Sequence, residues 1–120
     1  MALTPIELET YRKSAKKLQR EQKLRLRERR EKALELAHVA ATILKEEYGA
    51  SKVVVFGSIL HPEQFHWRSD IDLAVWDVQE FFRAVARLLD LDPEFTFDLV
   101  PVEDAKPGIL TIIHKEGKRL

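Results

Sequence analysis

The sequence contains no cysteine. Disulfides, thiolate metal sites and cysteine nucleophiles are excluded together, and a cytoplasmic setting is the expectation for such a chain. Only four glycines and five prolines occur, so those present mark turns and breaks and not a low-complexity composition. No apolar run approaches the roughly 20 residues that span a bilayer, and Met1-Ala2-Leu3-Thr4-Pro5 lacks the basic-then-apolar pattern of a signal peptide. Net charge is missing too. The 20 Lys and Arg balance the 20 Asp and Glu, which argues against a generic nucleic-acid binder.

What is present fits one domain of 120 residues, 45% hydrophobic and 33% charged. The zero net charge hides an asymmetry. Residues 1–32 carry eleven Lys and Arg against five Asp and Glu, a net of +6; residues 33–120 carry nine against fifteen, a net of −6. Such a split suggests an arm that meets an anionic partner or one that lies against the acidic body.

Thr4-Pro5-Ile6-Glu7 has the form of a helix start, with Thr4 as cap, Pro5 in the first turn and Glu7 completing a capping box. To about Lys32 the apolar line is thin (Leu8, Tyr11, Ala15, Leu18), which predicts a helical arm with too narrow a seam to hold itself against its own body, or else a solvated, frayed helix. From Ala33 the pattern widens through Leu34, Ala37, Ala40, Ala41, Leu44 and Tyr48, and Gly49 supplies the stop. No break between arm and helix is legible. The expected organisation is a basic helical arm over 1–32 and a body domain over 33–120.

Beyond Gly49, Val53–Phe56 reads as a buried strand, 57–69 as a loop with at most one helical turn, and Ile71–Trp76 as a second strand. Asp77 and Glu80 suggest a helix start, followed by an apolar face of Val78, Phe81, Val85, Leu88 and Leu89. Phe95–Val100 alternates as a third strand ended by Pro101, and Ile109–Ile113 forms a short helix stopped by Gly117. The expected class is α/β (α+β): a small mixed sheet with helices packed on it.

Asp70 and Asp72 lie two apart at the second strand, so their carboxylates share one face while Ile71, Leu73 and Val75 take the other. Two adjacent carboxylates repel unless a cation lies between them, and oxygen-only ligands suit Mg²⁺ or Mn²⁺. Asp98 sits among apolar strand-formers in Phe95-Thr96-Phe97-Asp98-Leu99-Val100, where an acid is costly unless paired or metal-bound. If the third strand lies beside the second, three carboxylates meet and a two-metal site becomes available. Gly57-Ser58, directly after the first strand, offers backbone amides and a hydroxyl suited to phosphate oxygens.

Taken jointly, Phe56-Gly57-Ser58, then Ser69-Asp70-Ile71-Asp72-Leu73, then Asp98 resembles the signature of the DNA-polymerase-β-like nucleotidyltransferases. The short length and the ending after Ile109–Ile113 (Glu116-Gly117, then Leu120) are similar to the minimal nucleotidyltransferases (MNT). The resemblance covers roughly Ala33 to Leu120 and implies several roles. Gly57, Ser58 and Ser69 would hold the nucleotide. Asp70 and Asp72 would bind both metals, and Asp98 would bind the second and favour deprotonation of an acceptor hydroxyl. It further implies an antitoxin that, with two Mg²⁺ and ATP, transfers AMP to a tyrosine of a partner HEPN ribonuclease toxin. One departure is visible. Members commonly follow Gly-Ser with an arginine-containing run, whereas here the run is Ile59-Leu60-His61-Pro62, with no arginine before Arg68.

That departure motivates an alternative, a non-catalytic antitoxin acting by contact alone. A nucleic-acid regulator using residues 12–32 is a third reading, weakened by the lack of stacking aromatics beyond Tyr11. His61 and His66 are expected to be exposed loop histidines, Trp67 and Trp76 packing residues, and Phe81 and Phe82 core residues.

Overall fold

The computed structural model describes residues 2–120. Between Pro5 and Gly49 there is neither glycine nor proline, and most residues there are good helix formers. Accordingly α1 (Pro5–Tyr48) runs unbroken for 44 residues. Thr4 caps it, its hydroxyl accepting from the Glu7 amide at 3.2 Å, and Gly49 closes it in the left-handed conformation (φ 71°). At 1.5 Å per residue such a helix is about 66 Å long, which sets the 65 Å long axis of the molecule.

The strands are β1 (Lys52–Phe56), β2 (Ile71–Trp76), β3 (Phe97–Pro101) and β4 (Lys118–Arg119), in the order β3-β2-β1-β4. β2 is antiparallel to β1 and parallel to β3; β4 is antiparallel to β1. The sheet is therefore mixed, in keeping with the expected fold class. Two further helices complete the fold, α2 (Phe81–Leu89) and α3 (Pro107–Glu116).

Each strand splits its residues between two layers. Val53, Val55, Ile71, Leu73, Val75, Phe97 and Leu99 are buried in one cluster with Ala33, Ala37, Ala40, Ala41 and Leu44 of α1 and Ala84 and Leu88 of α2. The alanines let α1 lie close on the sheet, and each buried Leu, Ile or Val contributes roughly 1.5–3 kcal/mol. On the opposite face Val54 and Ala74 pack with Ile113 of α3, beside Phe56, Trp76 and Val102. α3 covers only part of that face.

Several expectations shift in detail. The segment after β2 does not begin a helix at Asp77: Asp77 (φ 60°) and Glu80 (φ 50°) take left-handed conformations, and α2 starts at Phe81 without a side-chain cap. Phe81 packs on the core as expected, but Phe82 is 86% exposed and Leu89 is exposed as well. They flank the buried stripe of α2, which is Ala84 and Leu88. Trp67 is half exposed, not packed, whereas Trp76 is half-buried with the Lys52 ammonium over its ring, 4.7 Å from the centroid. Pro101 is the last residue of β3, paired with Val75 on the edge strand, where its missing N–H does no harm.

The arm and the first body helix are continuous across residues 32 and 33. Residues 5–25 are exposed throughout, Leu8, Tyr11 and Leu18 among them, so the arm projects from the body and does not fold back over it. Contact begins about two turns before the expected division, with Leu26, Arg29, Arg30 and Lys32.

Candidate active site

Sheet register brings the acidic residues together. Asp72 stands opposite Phe56 of β1 on one side and Asp98 of β3 on the other, so one row across three strands reads Phe56–Asp72–Asp98. It lies on the same face as Val54 and Ala74, at the end that α3 leaves open. Asp70, immediately before β2, is exposed; Asp98 is exposed on its edge strand; Asp72 is half-buried. The neighbours of these acids on each strand, Ile71, Leu73, Phe97 and Leu99, are buried in the other layer and hold the strands in that orientation.

Asp72 feels the crowding. Burial first, then the carboxylates of Asp98 and Asp70, push its carboxyl from the ordinary value up to about 6. Among the described residues no Lys, Arg or His forms an ion pair with any of the three. Three acids without a cation, all oxygen donors, fit a divalent metal such as Mg²⁺. Two of them share a row and Asp70 lies beside it, so they form no cage. No group of three His, Asp or Glu side chains is preorganised to enclose an ion among the described residues, so any shell here is completed from outside the chain, by water or by substrate oxygens.

Gly57 faces this row directly. It follows β1 with φ 84° and ψ −157°, an extended positive-φ conformation open essentially to glycine, and a Cβ placed there would run into the Asp72 carboxylate, whose Cγ would lie 3.2 Å away. Only glycine lets the chain turn here while Asp72 keeps its position. Ser58–Leu60 then forms one 3₁₀ turn, with the Leu60 amide donating to the Gly57 carbonyl at 3.1 Å and the His61 amide to that of Ser58 at 3.0 Å. Ser58 is half-buried, while Ile59 is fully buried and anchors the turn.

Ser69 is placed differently from Ser58. It is buried, and its hydroxyl accepts from the His66 amide at 2.9 Å while its own amide donates to the His66 carbonyl at 3.0 Å. Its evident work is to close the loop that delivers Asp70. His66 Nδ1 accepts from the Arg68 amide at 3.1 Å, so His66 also serves loop structure, and Arg68 is exposed. His61 lies 3.3 Å from Glu116 of α3 and 3.8 Å from Glu63. Sequence reasoning missed one contributor altogether: Arg30 of α1, whose Nε donates to the Ile59 carbonyl at 2.7 Å. Nothing in an Arg-rich helix singles out that arginine.

A mixed sheet with an open acidic row at one end and a glycine turn against it is a nucleotidyltransferase-like fold. Residues 38–120 match the family described as polymerase beta, nucleotidyltransferase, and the chain belongs to that family. Solved structures share the fold. A mutant MntA–HpeT toxin–antitoxin, in which two aspartates two residues apart are replaced by glutamate, is 19% identical, covers 69% of this chain and 70% of that one, and has a TM-score of 0.56. A toxin–antitoxin with AMP-PNP is 22% identical over 67% of this chain and 68% of its own, with a TM-score of 0.55. A Shewanella oneidensis complex of an MNT antitoxin with its tri-AMPylated HEPN toxin is 17% identical over 72% and 70%, with a TM-score of 0.54. Among proteins of curated function, none matches the sequence. Among the described residues no helix is long and apolar enough to cross a membrane.

Proposed function

We propose that this chain is an antitoxin of the MNT type that transfers AMP from ATP to a hydroxyl, a tyrosine by analogy, of a HEPN ribonuclease toxin and so silences it. The observation that carries the reading is the Asp72–Asp98 pair in register on adjacent strands, with Asp70 beside it and Gly57 against Asp72. Of the three similar complexes, one holds AMP-PNP and one contains a tri-AMPylated HEPN toxin. Asp70, Asp72 and Asp98 would hold Mg²⁺, or Mn²⁺, which when bound offsets charge on the triphosphate and lowers the proton affinity of the acceptor oxygen. The Gly57 and Ser58 amides and the Ser58 hydroxyl would orient phosphate oxygens, while Ser69 supports the loop. In the transfer the acceptor oxygen forms a bond to the α-phosphorus, the bond from that phosphorus to the bridging oxygen breaks, and pyrophosphate leaves; Asp98 is the candidate to receive the acceptor proton.

The basic arm is the proposed docking element for an acidic partner surface, because residues 5–25 present Leu8, Tyr11 and Leu18 to solvent amid Lys and Arg. A cytoplasmic site of action follows from such a partner.

The decisive experiment incubates the chain with α-labelled ATP, Mg²⁺ and a cognate HEPN toxin. Label on the toxin, lost in the Asp70→Asn/Asp72→Asn double variant, supports transfer. One observation favours a second reading: the residue after Ser58 is Ile59, wholly buried, where related proteins commonly place arginine. If the double variant still restrains a co-expressed toxin in full, and no label transfers with the unaltered chain, protection is by contact alone.

A further inference from the structure

One turn of α1 touches both segments that build the acidic site. On one side Arg30 reaches the backbone of the turn after Gly57, its Nε donating to the Ile59 carbonyl at 2.7 Å from a half-buried position. On the other side Arg29 Nη2 donates to the Glu94 carbonyl at 2.5 Å, and the guanidinium lies over the Phe95 ring, 4.3 Å from its centroid. Lys32 joins that side through Asp92 at 3.2 Å. Phe95 is buried, and Asp98 follows three residues later.

These contacts are structurally costly. A half-buried guanidinium gives up water, and Arg29 Nε is buried without a partner. A charge-assisted bond to a carbonyl repays that cost and fixes direction, because the guanidinium fork is planar. The run Ile59-Leu60-His61-Pro62 contains no arginine of its own, so Arg30 is the cation that meets this turn.

We infer that Arg30 is a positioning residue for the Gly57–Ser58 turn, acting through its bond to the Ile59 carbonyl, and that with Arg29 it ties that turn and the strand bearing Asp98 to one helical turn. The inference rests on the nucleotidyltransferase reading for its link to ATP, but its geometric content does not. It also makes residues outside the matched stretch 38–120 part of the working site.

The test uses the full chain with Arg30→Leu and Arg30→Gln. Three quantities are measured: Mg·ATP affinity by calorimetry, Mn²⁺ affinity without nucleotide, and amide exchange at Leu60 and His61, whose amides close the turn. Loss of one charge-assisted bond predicts that Arg30→Leu weakens Mg·ATP about tenfold and speeds exchange at both amides, with Mn²⁺ affinity kept. Arg30→Gln, whose amide can still donate to the carbonyl, should restore protection and most of the affinity although it carries no charge. Unchanged exchange and affinity in Arg30→Leu overturns the inference. So does an Arg30→Gln that keeps protection yet binds Mg·ATP as weakly as Arg30→Leu, because the charge would then contact the nucleotide directly. Should Arg30→Leu fail to fold, Arg30→Gln decides alone by that same pairing of readouts. A wild-type chain that binds Mn²⁺ but no ATP would sink the proposed function instead, and exchange would still decide the role of Arg30.

Discussion

The two halves of α1 are one helix by backbone and two different objects by energetics. Residues 5–25 are exposed on every side, whereas the half from Leu26 onward lays Ala33, Ala37, Ala40, Ala41 and Leu44 on the sheet. Isolated helices of modest length are marginal in water because nucleation is unfavourable. The body half is nucleated by packing, and the arm extends it residue by residue at little further cost, with no breaker on the way. Helicity in the arm is thus inherited, while stability resides in the body.

The largest effect that would sharpen this contrast is Leu44→Ala, which empties a fully buried site and should cost about 2–5 kcal/mol in urea unfolding. Next comes the turn at the acidic row. Gly57→Ala forces a side chain into a positive-φ conformation and against Asp72, with an expected loss of roughly 1–3 kcal/mol and a fall in Mn²⁺ affinity as the carboxylate is displaced.

A smaller effect concerns pH. The Asp72 carboxyl is raised to about 6 in the folded chain, against about 3.9 unfolded. Between those values the unfolded chain has given up the proton that the folded chain keeps, so stability falls as pH rises through that window and stays lowered above it. After discounting for the solvent-exposed side of the site, Asp72→Asn should stabilise the metal-free protein at pH 7 by about 1 kcal/mol, a rise of about 4 °C in melting temperature. At pH 4 the gain should vanish. A gain of equal size at both pH values would contradict this account.

Smallest of all, Leu18→Ala in the arm should change stability by less than about 0.5 kcal/mol. Lys23→Pro should lower the far-UV helix signal by unwinding the arm while leaving the melting temperature of the body nearly unchanged. A large loss of body stability from either would break the comparison.

The same contrast explains how much was legible in the sequence. The α/β class, the caps at Thr4 and Gly49, the limits of β2 and the two-faced strands follow from local pattern, because alternation and helical spacing are written in neighbouring residues. Strand order is not local. Yet a carboxylate among apolar strand-formers at Asp98 hinted at a partner, and the register supplied Asp72. β4 carries no local strand signal, because Lys118-Arg119 is two charged residues whose strand form comes from pairing with Val54 and Val55. Phe82 departs from its expected place because α2 buries only the narrow stripe of Ala84 and Leu88, and nothing local says which of two adjacent phenylalanines lies beside it. The motif groups Ser69 with the nucleotide, and the structure adds its bonds to His66, which close the loop. Arg30 was invisible, because its contact crosses from one element to another and ends on a backbone carbonyl.

The length of α1 also governs how the molecule moves through solution. A compact chain of this size has a radius of gyration near 14 Å, whereas this one reaches 19.3 Å. Its tumbling and sieving will be those of a rod with a weight at one end. A single 14.0 kDa copy should elute from a sizing column ahead of globular standards of its mass. Early elution is thus no sign of self-association in this protein, and its stoichiometry with any partner has to be weighed by light scattering or sedimentation equilibrium, which report mass regardless of shape.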